Sequence, residues 1–219
     1  MANRTDKTAS TIHGGDPQGL VETIVRQRIY NNLYWKEQCF ALRVDQVLEK
    51  AVKLEAVGGT YGGYRKPTKF LCLVLKLLQL QPDVESVLEL VDQGDFKYVR
   101  VLAAFYLRMV GSPLQVYKTL EPLLSDYRKI RLRREDGKYE ITYVDELIDQ
   151  MLSKQNLFDC TLPRIPPRRQ LEAADILQPL LGDAESTDED DDEDEDMAPP
   201  PLPPPEQKKR RRSSSEELD

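Results

Sequence analysis

Residues 57–82, VGGTYGGYRKPTKFLCLVLKLLQLQP, constrain this chain more than any other stretch. Two glycine pairs, Gly58-Gly59 and Gly62-Gly63, precede Pro67-Thr68 and an apolar run over residues 70–80. Proline followed by threonine reads as a helix start, with the Thr68 hydroxyl accepting from a first-turn N–H. Phe70, Leu71, Val74, Leu75, Leu77 and Leu78 cover more than one helical face, so the predicted helix needs neighbours around it. Burying one such side chain stabilises by about 1.5–3 kcal/mol, which makes this segment the central rod of a helical domain. A bilayer span needs about 18 or more apolar residues, and Lys76 and Gln79 interrupt this shorter run. Pro82 ends it.

Helical signals flank the rod on both sides. Asp16-Pro17 supplies an N-cap and a first-turn proline, predicting a helix to about Tyr30 with Leu20, Ile24 and the Val21/Val25 pair inward. Residues 33–40 hold Tyr34, Trp35 and Phe40 and read as a short helical turn on the core. Val44, Val47, Leu48, Ala51 and Val52 recur at helix spacing. Beyond the rod, residues 83–93 form an amphipathic helix closed by Gly94 as a C′ glycine. Asp95 caps the next helix, where Ala103 and Ala104 suit a close crossing, and Ser112-Pro113 opens another, bent or broken at Pro122. In KIRLRREDGKYEITY, alternation around Asp136-Gly137 signals a β-hairpin. Thr142-x-x-Asp145 resembles a capping box before a helix carrying Val144, Leu147, Ile148, Met151 and Leu152. LPRIPPRR is extended by its prolines, and a last short helix covers about residues 169–177. The expected fold class is all-α, a multi-helix domain with one small β-hairpin near residues 129–142.

Charge separates the body from the tail. Of 38 acidic and 31 basic side chains, 15 acidic and 5 basic lie from Asp183 onward, leaving 23 and 26 in the rest. The expected organisation is a loose N-terminus over residues 1–15, a folded domain over 16–181 and a disordered tail over 182–219. That tail holds nine consecutive acids (188–196), PPPLPPP (199–205) and KKRRR. Lys208, Lys209, Arg210, Arg211 and Arg212 form a candidate nuclear import signal. Ser186, Thr187 and Ser213 are candidate phosphorylation sites, where a phosphate would add charge. The opening MANRTDKTAS lacks the apolar stretch of a signal peptide, which points to a reducing cytosolic or nuclear setting.

The sequence offers no enzyme site. Cys39, Cys72 and Cys160 are isolated and His13 is the only histidine, so no zinc-ligand spacing or nucleophile–base pair exists. The glycine loop fails as a phosphate-binding loop, because Gly63 is followed by Tyr64 where a lysine is required. Sharp turns that let neighbouring backbones pass closely explain the glycines better. The carboxylates of Asp145, Glu146 and Asp149 read as a solvated helix face. No cofactor is expected.

Two binding candidates remain. Arg128, Lys129, Arg131, Arg133 and Arg134 form a basic cluster, and alternation projects Lys129, Arg131 and Arg133 from one face of the hairpin. They could contact RNA phosphates or an acidic partner, or merely solvate the ribbon; no stacking aromatic is apparent on that face, which weakens sequence-specific RNA reading. Tyr61, Tyr64, Arg65 and Lys66 sit on the glycine loop as candidate interface anchors, unless either tyrosine folds back onto the core.

RIYNNLYWKEQCF, the 57–82 stretch, DFKYVRVLAAFYLRMVG, YKTLEPLLSDYRKIR, YVDELIDQMLS and LPRI occur in this order and spacing. Together they resemble the pre-mRNA-splicing factor 38 family over roughly residues 10–178. The resemblance implies an all-α domain with a small hairpin, no catalytic activity and a scaffold role in activating the pre-catalytic spliceosome. It also implies association with the tri-snRNP and with splicing proteins, a zinc-finger protein among them, with no membrane or small-molecule substrate. The alternative is a direct RNA-binding protein using the basic hairpin. Animal members often carry a long arginine–serine extension; this tail is similar to the short-tailed fungal type.

Overall fold

The computed structural model describes residues 3–6, 8–174 and 176–178. A 3-10 turn, Pro17–Leu20, leads into α1 (Thr23–Asn31), α2 (Leu33–Gln38) and α3 (Val44–Val52). The short strands β1 (Thr60–Tyr61) and β2 (Lys66–Pro67) pair across the glycine loop. Then come α4 (Lys69–Leu80), α5 (Val84–Asp92), α6 (Lys97–Val110) and α7 (Pro113–Leu120), the last running into a 3-10 turn at Glu121–Ser125. The hairpin β3 (Lys129–Arg133) and β4 (Tyr139–Tyr143) feeds α8 (Val144–Ser153), followed by β5 (Asn156–Leu157), β6 (Cys160–Thr161) and α9 (Arg168–Ala173).

The rod is where the sequence places it. Thr68 Oγ1 accepts from Leu71 N at 3.2 Å and starts α4. Every residue from Phe70 to Gln79 is buried, because the first 3-10 turn, α1, α2, α3 and α6 all lie against this helix. It stops where Gln81 turns left-handed, φ 47°, ahead of Pro82. Lys76 and Gln79 do not break the core, since Lys76 Nζ donates to Gln79 Oε1 at 3.3 Å and lies over the Trp35 ring. Gln79 in turn donates to Gln18 Oε1, which also receives the Tyr30 hydroxyl. Burial lowers the Lys76 pKa from its ordinary value.

Helix α6 is the second centre and touches α3, α4, α5, α7 and α8. Ala103 and Ala104 are buried within it, as the close-crossing reading expects. Its Phe105 joins Phe70 and Phe158 in a three-ring cluster with centroids 5.4–5.8 Å apart. Arg108 is buried yet satisfied: Nε donates to the Met151 carbonyl and Nη1 to that of Pro163, both at 2.8 Å. One guanidinium thereby fastens the last turn of α8 and the extended 161–167 segment onto α6. The described part of the N-terminal segment is also anchored. Asn3 Oδ1 accepts from Trp35 Nε1, Asp6 N donates to Gln79 O, and Ile12 is buried.

Several local expectations need correction. The helix expected from Pro17 to Tyr30 is broken: Val21 is extended, which turns Val21, Val25 and Ile29 inward and leaves Ile24 exposed. Trp35 packs on the core, whereas Phe40 lies outside it. Gly94 is not a left-handed cap; α5 ends at an ordinary Gln93, and the Gly94 carbonyl accepts from Arg128. Asp95 does not cap α6, whose N-cap position is Phe96. The capping of α8 falls one residue later than read, with Glu146 Oε2 accepting from Tyr143 N and the Thr142 hydroxyl. Glu146 is therefore a cap acceptor as well as part of a solvated face. Helix α9 is shorter than expected, the chain turning so that Leu177 packs with Leu171 and Tyr117. The hairpin stands where the sequence puts it, but two further two-residue ribbons, β1–β2 and β5–β6, accompany it.

Candidate functional site

The two binding candidates, some seventy positions apart in the sequence, form one surface. Val57 runs alongside β3: its N–H donates to Arg131 O at 2.9 Å and its carbonyl accepts from Arg133 N at 2.8 Å. The loop tip is tied to the hairpin turn, with Gly62 N donating to Glu135 O at 2.7 Å. Gly58 is left-handed, φ 148°, and a Cβ there would lie 2.7 Å from the Arg133 carbonyl oxygen. A Cβ on Gly59 would lie 2.7 Å from the Phe158 carbonyl carbon. These glycines are therefore close-approach positions, as the sequence reading holds, and the neighbours they admit are the hairpin and the β5–β6 turn.

That turn is the part the sequence conceals. Phe158 and Asp159 link β5 to β6 with φ 55° and 59°, the left-handed pair that a tight hairpin requires and that Asn-Gly usually supplies. Contacts on both side chains offset the strain. The Phe158 ring is held in the aromatic cluster, and Asp159 Oδ2 accepts from Thr60 N at 2.6 Å and Thr60 Oγ1 at 2.8 Å. Asp159 Oδ1 faces Arg65 Nη1 at 3.3 Å, and the same guanidinium reaches Glu135. Thr68 completes the anchoring, its hydroxyl donating to Gly58 O at 2.6 Å. With no Gly or Asn at the turn, only an aspartate able to adopt left-handed backbone hints at this hairpin.

Register fixes what the hairpin shows. Lys129 pairs with Tyr143, Arg131 with Ile141 and Arg133 with Tyr139, so these six share one face. Ile130 and Thr142 on the other face are buried. The three cations do project together, and the expectation of a face without aromatics is overturned. The Arg133 guanidinium sits 3.8 Å from the Tyr61 ring centre and 4.8 Å from that of Tyr139, and donates to Tyr139 Oη at 2.7 Å. Ile141 and Tyr139 remain 66% and 54% exposed. Tyr61 is half-buried against Arg133, while Tyr64 at the loop tip is 98% exposed and does not fold back onto the core.

Arg128 is the one basic residue that stands apart. Its guanidinium grips Asp126 at 2.6–2.7 Å and the Gly94 carbonyl. Hydrogen bonds from Arg128 and Arg100 hold the Asp126 carboxyl at about 2, below its ordinary value. Arg134 pairs with Glu140 at 3.3 Å, and Lys66 is exposed. Between α2 and this surface runs a groove of about 350 Å³. Leu33, Leu54, Tyr61 and Tyr139 supply its apolar lining, with Lys66 and Lys69 also along it.

Among the described residues no three His, Cys, Asp or Glu side chains are grouped to hold a metal ion. Burial pushes the Cys39 thiol up to about 11 and Cys160 to about 12, and raises Cys72 as well. His13 Nε2 lies against the Met109 carbonyl, 3.2 Å away. No helix among the described residues is long and apolar enough to cross a membrane. The import candidate Lys208–Arg212 and the phosphorylation candidates Ser186, Thr187 and Ser213 lie outside the described residues.

The described residues form a helical domain that presents a basic, aromatic ribbon face. The family model described as PRP38 family matches residues 10–175. Pre-mRNA-splicing factor 38 of Arabidopsis thaliana is 51% identical over 179 residues, covering 82% of this chain and 50% of that protein. Pre-mRNA-splicing factor 38A of Danio rerio is 49% identical over 185 residues, 84% of this chain and 59% of that protein. A solved chain from the Snu23-Prp38-MFAP1(217-258) complex of Chaetomium thermophilum superposes with a TM-score of 0.75 at 37% identity. That match covers 80% of this chain and 92% of the other. This chain belongs to the PRP38 family, and it spans about half to three-fifths of the length of these two relatives.

Proposed function

We propose that this chain is a non-enzymatic protein scaffold of the spliceosome, required for pre-mRNA splicing and acting in the nucleus. The observation that carries the reading is its likeness, at 37% identity and across most of both chains, to a PRP38 relative solved in complex with Snu23 and MFAP1. Its partners are other splicing proteins, including a zinc-finger protein, and snRNP particles; it associates with the tri-snRNP while the pre-catalytic complex is activated. The joined surface of Lys129, Arg131, Arg133, Tyr61, Tyr64, Arg65 and Lys66 is the face we assign to docking, with Arg134 at its margin and Arg128 in a supporting position. Tyrosine and arginine are favoured interface anchors, and here they stack on each other.

Affinity capture from nuclear extract with the full chain, with and without RNase, tests this reading. Splicing proteins retained after RNase, and lost when Arg131→Glu is combined with Ile141→Asp, are the expected result. Loss of all partners on RNase treatment would overturn it. The second reading, direct RNA contact, is favoured by Tyr139 and Tyr61 beside the cations, since aromatic and basic groups together suit single-stranded nucleic acid. It predicts an RNA affinity that falls steeply with salt, with a slope that charge reversal at Arg131 and Arg133 reduces.

A further inference from the structure

The two edges of the β3–β4 hairpin are finished differently. Along β3 the outward backbone groups are taken. Arg131 N donates to the Tyr98 hydroxyl, Arg131 O and Arg133 N meet Val57, and Lys129 O accepts from Lys97 Nζ. Those bonds also fix the phase of the ladder. In an antiparallel pair a residue and the one opposite it turn their backbone groups either toward each other or both away. Arg131 and Arg133 turn away, so Ile141 and Tyr139 opposite them turn away too, out of the other edge. Each points an N–H and a C=O from the edge of β4, and nothing among the described residues bonds to these groups. Tyr143, the next outward residue, has its N–H taken by Glu146.

Strand β4 carries none of the devices that keep an edge from pairing. YEITY holds no proline, lysine or glycine, its register with β3 runs without a bulge, and Tyr139 and Ile141 are exposed. Tyrosine, isoleucine and threonine favour strands. Donors and acceptors set out in strand phase are matched by another extended backbone. Register then gives the charge of the occupant. Every second side chain of an added strand lies on the face of Tyr139 and Ile141, roughly 10 Å, two strand spacings, from β3. Lys129 and Arg131 project from that face toward it, and neither is in an ion pair among the described residues. On the opposite face the neighbour is Glu140, beside which a second carboxylate would be destabilising.

We propose that the open edge of β4 takes up an extended segment of a protein partner as a third strand. Acidic side chains at alternate positions of that segment face Lys129 and Arg131, with neutral ones between them. The proposal rests on the docking role given to the hairpin face and names how a partner is held there: backbone bonds to Tyr139 and Ile141 supply the register, and the two cations select the sequence.

The test is a displayed random-peptide library panned on the full chain and counter-selected on Ile141→Pro. Proline at this outward position removes the edge N–H and leaves the β3–β4 ladder bonds in place. Enriched peptides should alternate acidic with neutral β-branched residues. In the best of them, made synthetically, N-methylation should cost about tenfold in affinity at every second residue and little at those between. That scan leaves the protein itself unaltered. Bound peptide should slow amide exchange at Tyr139 and Ile141, and Lys129→Glu/Arg131→Glu should weaken it about tenfold or more. Failure to enrich any peptide sensitive to Ile141→Pro, or N-methylation losses that do not alternate, overturns the proposal. So does a dimer of the chain that Ile141→Pro dissociates, since a second copy would then hold the edge. Splicing proteins retained undiminished by Ile141→Pro after RNase overturn strand addition and leave the docking role standing. Loss of every partner on RNase, with a peptide still bound in the alternating pattern, overturns the docking role and supports the edge.

Discussion

Helix α4 and the face of the β3–β4 hairpin are opposites in burial. In α4 ten consecutive residues are buried, and even its lysine and glutamine are paired inside the core. On the hairpin face an isoleucine and a tyrosine stand in solvent beside three cations. A rod enclosed on all sides tolerates little change, whereas a ribbon with one buried side leaves its other side exposed, the side we assign to docking. Rigidity on the exposed side comes from elsewhere: Val57, Gly62, Asp159 and the Arg133 stack hold it in place.

Substitutions can break that contrast or sharpen it. Phe105→Ala should have the largest effect, destabilising by about 3–5 kcal/mol in a denaturant titration, because it opens a cavity beside two other rings. Asp126→Asn should cost about 2 kcal/mol by leaving Arg100 and Arg128 without their carboxylate. Its pH dependence has a definite sign. The Asp126 carboxyl is held at about 2 against an ordinary 3.8, so its contribution is full above 3.8 and is lost as the pH falls through 2. The gap in midpoint between wild type and variant should close over that window.

Gly59→Ala lies between the two regions. It should destabilise by about 1–3 kcal/mol as the β5–β6 turn is pushed away, and it should weaken partner retention more than its stability loss accounts for. A variant that loses stability but keeps its partners would show that the anchored loop does not contribute to docking. Arg131→Glu with Ile141→Asp should have the smallest effect on stability, about 1 kcal/mol, since both side chains are exposed and the main cost is two carboxylates facing each other across the strands. Loss of captured splicing proteins in that variant, measured after RNase, would complete the contrast. A drop in midpoint as large as that of Phe105→Ala would end it.

Much of this was legible in the chain. The rod, its Thr68 cap, the α7 start at Ser112-Pro113, the hairpin and its alternation all follow from local pattern. Local pattern failed where long-range contacts overrode it. Val21 leaves the helix because an extended residue there turns three apolar side chains inward at once. Gly94 is kept from a cap role by a chain path in which its carbonyl meets Arg128. The Phe158-Asp159 turn carries neither of the usual turn residues, and its strain is offset by rings and donors from distant segments.

The sequence by itself determined the helices, the hairpin and the sign of the charges on its outer strand, because helix period, strand alternation and turn chemistry act between near neighbours. Only the tertiary structure decided that the glycine loop and the hairpin are one surface, that Arg128 is withdrawn from it and that Tyr61 and Tyr139 stack on Arg133. Those outcomes depend on hydrogen bonds between residues up to 99 positions apart, such as Thr60 to Asp159. No local preference specifies such a bond; it forms only when burying the core brings the two segments together.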